Sequence, residues 1–290
     1  MRGLMRSSIL RRLVLLVITI VEGGLVSATL VRYAPGFGAD EQQLDTRLSN
    51  DSIQSIRDAN ADERNIVRFY VASICKTFRG DFGMSRSLNR PVRQLLQERA
   101  AVTAAVAGEG LAVAWWSAIL VVFATWFFRA PPLRMSITLF SGTLLCLPAG
   151  ALALLAIILN QPGYLVIALI VYPKVHQYLS NLVEAARGMP HLITARATGT
   201  SEPRIFFWHV VPVIQREVLA LAGVSIGLAI SAAIPVEALC GIPGIGQLAW
   251  QSALGRDLPL LNNVAMLVIA CVVLANSGAD LLGEERRQPA

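Results

Sequence analysis

Long apolar blocks alternate with short polar ones along this chain. Six blocks, near 9–31, 100–128, 135–159, 164–182, 213–239 and 260–283, approach the length of a membrane crossing. A spanning helix takes roughly 20 mostly apolar residues, so the pattern predicts an all-α, polytopic membrane protein of about six transmembrane helices. Residues 33–99 break the rhythm. They carry both signs of charge in near balance and read as a folded soluble insert after the first helix. Within it, Asp51–Ile56 and Ile66–Phe78 have the spacing of short amphipathic helices, and Gly80-Asp81-Phe82-Gly83 marks a turn. The predicted organisation is an N-terminal transmembrane helix over 1–32, the insert over 33–99, and a five-helix core over 100–290 with a polar loop at about 184–212.

Composition sharpens this picture. Of the 290 residues 54% are hydrophobic and 15% charged, against about 25% charged in ordinary soluble domains. The net charge of +6 is spread between apolar blocks rather than gathered into a patch, which excludes nucleic acid as a partner. The four cysteines, Cys75, Cys146, Cys240 and Cys271, form no paired or metal-ligand spacing. The first block admits two readings: a retained anchor behind Arg2, Arg6, Arg11 and Arg12, or a cleavable signal ending near Val26-Ser27-Ala28.

Short-loop arginines set the orientation. Arg129 and Arg134 follow the second block, Arg187, Arg196, Arg204 and Arg216 the fourth, and Arg286 and Arg287 the last. The opposite loops hold only Arg256 and Asp257. Both termini are therefore expected in the cytoplasm and residues 33–99 outside. Glu22, Glu109, Lys174 and Glu237 fall inside blocks, where an isolated charge is costly and marks function or a helix contact. Lys174, beside Pro173, reads as a residue near a helix end that snorkels.

Two stretches are more specific. Thr194-Ala195-Arg196-Ala197-Thr198-Gly199-Thr200-Ser201-Glu202-Pro203-Arg204 leads into Ile205–His209 and Val210-Val211-Pro212. It predicts a short helix, a glycine break with a backbone turn, and a second helix with Ile205, Phe206 and Trp208 on its apolar side. The second stretch runs from Glu237-Ala238-Leu239-Cys240-Gly241-Ile242-Pro243-Gly244-Ile245-Gly246 to Arg256-Asp257 and Pro259. Its proline and glycines end a helix and turn the chain back, with Arg256 and Asp257 as the charged pair able to brace the turn.

The first stretch resembles the cytoplasmic "EAA" loop of ABC importer permeases. That pattern sets a glycine thirteen residues before a proline, as Gly199 and Pro212 stand here. Ala195 matches an alanine of the motif and Ile193 replaces its glutamate; the literal Glu184-Ala185-Ala186 is out of register. The run from Thr194 to Gly199, with Ser201-Glu202 and His209, looks like the dipeptide/oligopeptide branch. The second stretch is similar to the Glu-x-x-Phe-x-x-Pro-Gly-x-Gly … Arg-Asp-x-Pro signature of that branch, with Leu239 or Cys240 at the aromatic position. Arg32-Tyr33-Ala34-Pro35-Gly36 resembles its Pro-Gly-Asp-Pro element. Gly80-Asp81-Phe82-Gly83-Met84-Ser85, with Pro91-Val92, resembles the stretch before the second span of the B-type subunit.

The resemblance implies an inner-membrane permease that pairs with a second permease subunit, two ATP-binding subunits and an external solute-binding protein, working by alternating access in the lipid bilayer. It implies an ATPase-coupling loop of Ala195, Arg196, Ala197, Gly199, Ser201, Glu202, Phe206, Trp208, His209 and Pro212, with Phe206, Phe207 or Trp208 as apolar anchors. An external turn or pathway would comprise Glu237, Pro243, Gly244, Gly246, Arg256, Asp257 and Pro259, and an external insert motif Gly80, Asp81, Gly83 and Ser85. No cofactor is implied, and the Gly-x-x-x-x-Gly-Lys-Ser/Thr phosphate loop is absent, so ATP hydrolysis belongs to a partner. Residues 104–165 carry the resemblance poorly, with only Asn160-Gln161-Pro162-Gly163 where the family has a larger loop. That keeps a degenerate, scaffold-like permease open as an alternative. An intramembrane enzyme is the other, though neither His-Glu-x-x-His nor Gly-x-Ser-x-Gly is present.

Overall fold

The computed structural model describes residues 80–128 and 131–284 together with isolated helical positions between 14 and 29. Most of the predicted 33–99 insert, the Arg32–Gly36 element, Cys75 and the arginines at both ends lie outside the described residues. The described residues are helical, with one isolated bridge between Met84 and Pro91. The elements are α1 (Val92–Phe127), α2 (Pro131–Cys146), α3 (Ala149–Ile158), α4 (Gly163–Arg187) and α5 (Pro190–Ala197). They continue with α6 (Glu202–Cys240), α7 (Ile245–Leu254) and α8 (Leu258–Glu284).

Proline punctuates these helices. Pro148 and Pro162 are the N-caps of α3 and α4, and Pro190 opens α5; its missing N–H has no partner in a first turn anyway. Gly241, at φ +67°, closes α6 in the left-handed conformation that a Cβ disfavours. Pro173 and Pro235 lie inside α4 and α6.

Among the described residues, three helices are long and apolar enough to cross a membrane: Val92–Phe127, Glu202–Cys240 and Leu258–Gly278. The block predicted as one helix over 135–159 is a pair, Pro132–Cys146 and Ala149–Ile158, bent by 99°. Pro148 supplies the break, since the residue before a proline is driven out of the helical region. As a single broken span the pair makes a fourth crossing. The block at 164–182 is one helix, α4, long enough to cross but not among those apolar enough by composition. The second block begins at Val92 rather than 100, so the helix takes in the last eight residues assigned to the insert.

The chain divides into two compact units, residues 1–100 with 248–270 and residues 101–247 with 271–290. In the second, α4 is central, packing against α2, α3 and α6. Ala107, Ala114, Ala118, Val122 and Trp126 of α1 are buried at intervals of four and seven, one stripe of a helix. Trp115 Nε1 donates to Ser225 Oγ at 2.9 Å and Thr103 Oγ1 to Glu237 Oε2 at 3.1 Å. The two links are twelve residues apart on each helix, so α1 and α6 run antiparallel. Leu139, Phe140, Leu154, Leu155 and Ile158 point outward, an apolar exterior that suits lipid.

Candidate functional site

Three arrangements gather the chemistry. The first is the loop joining α4 to α6. Helix α5 ends at Thr198, and Gly199 turns the chain at φ +80°. Thr200 N donates back to Ala195 O at 3.1 Å and Gly199 N to Arg196 O at 3.0 Å. Across the turn Arg196 Nε meets Glu202 Oε1 at 3.0 Å, a partly exposed pair worth about 0–1 kcal/mol. Leu192, Ala195, Ile205 and Val210 are buried beneath.

The aromatic residues of this loop divide. Phe206 packs against Phe123 and Trp126 of α1, ring centroids 5.5 and 5.3 Å apart. The Arg187 guanidinium lies over the same Trp126 ring, 4.4 Å from its centroid. Phe207, 57% exposed, still touches the Phe206 and Phe123 rings at 5.5 and 6.0 Å between centroids, and Trp208, 76% exposed, stands outward. The expectation that Trp208 shares the apolar side of Ile205 and Phe206 is therefore corrected. Phe206–Val210 form a π turn, and its wider spacing carries Trp208 away from Ile205. His209 Nδ1 is buried without a hydrogen-bond partner, while Ala197, Ser201 and Pro212 are exposed.

The second arrangement surrounds Glu237, fully buried at the end of α6. Its Oε2 accepts from Gly246 N at 2.7 Å and from Thr103 Oγ1 at 3.1 Å. Thr103 Oγ1 also accepts from Ile245 N at 2.8 Å, so two amides opening α7 are answered by side chains. Glycine is needed for the fit. A Cβ on Gly244 would run into the Glu237 carboxylate, and one on Gly246 into the Ile234 backbone, 2.6 Å from its Cα. The expected glutamate of a pathway is here the internal clamp of the 241–246 turn.

The third lies in the other unit, around Asp257, 1% exposed. Its Oδ2 accepts from Ser85 Oγ at 2.6 Å, Ser87 N at 3.0 Å and Ser87 Oγ at 3.0 Å. Its Oδ1 accepts from Leu260 N at 3.1 Å and so caps the start of α8. The brace expected from Arg256 comes at these atoms from serines far upstream. Arg256 itself has φ +50°. The upstream loop is held by Gly83 N on Asp81 Oδ1 at 3.1 Å, with Gly80 and Gly83 at φ +80° and +72°. Asn263 Nδ2 reaches Phe82 O at 3.2 Å and Pro259 O at 2.7 Å. Two motifs singled out separately in the sequence, at 80–85 and 256–259, thus meet.

Pro243 lies within the Glu237 turn and is exposed. Sequence reasoning missed Thr103, Ser87, Phe123 and Trp126. A threonine in an alanine-rich helix was the available signal for Thr103; the others had none. Of the four charges inside apolar blocks, Glu237 alone is buried, while Glu22, Glu109 and Lys174 are exposed.

A bundle of long apolar helices with a folded polar loop and two pinned turns is a polytopic membrane protein. Residues 110–284 match the binding-protein-dependent transport system inner membrane component family, more than half the chain, and the chain belongs to that family. It is 25% identical over 233 residues to the di/tripeptide transport system permease protein DppB of Pseudomonas aeruginosa, covering 71% of this chain and 64% of that one. It is 25% identical over 299 residues to the probable peptide ABC transporter permease protein y4tP of Sinorhizobium fredii, covering 94% and 95%. With the oligopeptide transport system permease protein AppB of Bacillus subtilis it shares 31% identity over 103 residues, 36% of this chain and 32% of AppB. The matched stretch thus spans less than two thirds of the DppB and AppB relatives.

Proposed function

We propose that this chain is a permease subunit of an ATP-driven importer for peptides or similar small solutes. Its partners would be a second permease subunit, two ATPase subunits and an external solute-binding protein, with both termini in the cytoplasm. The names of its relatives support the substrate class. The observation that carries the coupling role is the pair Phe207 and Trp208, 57% and 76% exposed beside the buried Leu192, Ile205 and Val210. Two large rings facing water are unfavourable unless a partner covers them, and an aromatic pair beside a rigid turn suits a groove on another protein. Phe206, fastened to α1, would transmit motion of the loop to the helices, as in hinge-driven alternating access.

The test is uptake of a labelled dipeptide by vesicles holding the complete transporter. Phe207→Ala with Trp208→Ala should leave membrane abundance unchanged and lower ATP-dependent uptake by about tenfold or more. Unchanged uptake would refute the docking role. ATPase subunits that bind the unaltered chain in vesicles that never take up solute would favour the scaffold reading instead.

A further inference from the structure

Helix α4 exposes a polar stripe. Lys174, Tyr178 and Asn181 are exposed and Gln177 is half-buried, at spacings of three and four that place them on one face. The rest of the helix is largely core: Val166, Ile167, Val171, Val175, Leu179 and Val183 are buried. Lys174 stands eleven residues from Gly163 and thirteen from Arg187, with Pro173 continuing the helix. That is about 16 and 20 Å from the two ends. The expectation that Lys174 sits near a helix end is thereby corrected.

The stripe has a top. Ile167, two turns before Lys174 on the same face, is fully buried and abuts Gly110 of α1. A Cβ on Gly110 would come within 2.8 Å of Ile167 Cβ and of Tyr164 O. The face is therefore closed by helix contact above Lys174 and open from Lys174 toward the loop that carries Phe207 and Trp208. A polar cavity of about 150 Å³, lined by Thr125, Thr138, His176, Ser180 and Asn181 among others, adjoins the open part. Glu184 farther along is engaged by Arg134 at 3.1 Å. Lys174, Gln177, Tyr178 and Asn181 all offer hydrogen-bond donors, with one positive charge and no acid among them.

We infer, resting on the permease reading above, that α4 crosses the bilayer as an amphipathic helix lining the aqueous path, and that Lys174 at its closed end receives the carboxylate of a peptide substrate. A lysine at mid-helix with a glutamine and an asparagine on the same face toward the Arg187 end suits water and a polar solute, not lipid. The same stripe accounts for α4 missing the composition of an ordinary span.

Two measurements test this. In cells producing the complete transporter, uptake of trialanine should exceed that of trialanine amide. Lys174→Gln should lower trialanine uptake about tenfold and leave the amide unchanged, and Lys174→Arg should retain the preference. A preference unaltered in Lys174→Gln would overturn the assignment. Separately, with the four native cysteines replaced by serine, a hydrophilic thiol reagent should label Lys174→Cys, Tyr178→Cys and Asn181→Cys and spare Leu155→Cys. Protection of the first three would place the stripe against lipid or a neighbouring subunit and overturn the path. If the unmodified transporter takes up neither probe, the peptide reading and the carboxylate fall together, and labelling still decides whether the stripe faces water.

Discussion

Glu237 and Asp257 are both buried carboxylates that fasten a turn, yet they do so in opposite ways. Glu237 holds Gly246 nine residues down its own chain and Thr103 134 residues back, both on the same oxygen. It uses one oxygen, and its Oε1 has no hydrogen-bond partner. Asp257 reaches back 172 residues to Ser85 and loads both oxygens, three bonds on one and one on the other. The Glu237 clamp depends on empty space beside it, which two glycines supply. The Asp257 clamp depends on donors, most of which two serines supply. A buried acid is thus secured either by shape or by chemistry, and substitutions should tell the two apart.

The largest effect should come from breaking the space. Gly246→Val drives a side chain into the Ile234 backbone, which cannot step aside. We expect a loss of at least about 3 kcal/mol, read as collapse of membrane abundance and of the thermal midpoint in detergent. Gly83→Ala in the other region meets nothing within 4 Å. It should cost only the left-handed backbone penalty, about 1–2 kcal/mol. Equal effects at the two glycines would erase the distinction.

An intermediate and sharper test is isosteric. Asp257→Asn puts an amide where one of two loaded oxygens stood, so donors face a donor. The expected loss is about 2–3 kcal/mol, measured by thermal unfolding. Glu237→Gln can place its amide at the unpartnered Oε1 and keep an acceptor at Oε2, for a loss under about 1 kcal/mol. The reverse order would mean that charge rather than donor count holds these turns. The smallest effect calibrates both: Trp115→Phe removes the neutral bond to Ser225, 2.9 Å long. It should cost about 0.6 kcal/mol, as interhelical hydrogen bonds in membranes do.

Hydrophobic blocks located α1, α6 and α8 because periodicity and length are local properties of the chain. Both turn motifs were also legible, since glycine and proline reveal backbone demands wherever they stand. What joins the motifs was not. The Thr103–Glu237 bond spans 134 residues and the Ser85–Asp257 bond 172, and a contact between remote segments leaves no mark in the local pattern. Asp257 therefore seemed to belong with its neighbour Arg256. The bend at Pro148 was hidden by apolar residues on both sides of it, and the outward turn of Trp208 by a change of helical pitch that composition does not encode.

That change of pitch has a genealogical side. A π turn closes its hydrogen bond over five residues where an α turn closes it over four, so Phe206–Val210 hold one residue more than regular winding requires. Removing any one of them would let the helix continue without a break, but everything before it would swing by about 100° around the axis. Phe206 could then no longer face Phe123 and Trp126 while Val211–Cys240 kept their present seat. In this chain the phase between loop and helix is set by a single surplus residue, and lineages that gained or lost it would differ by a rotation rather than by a contact.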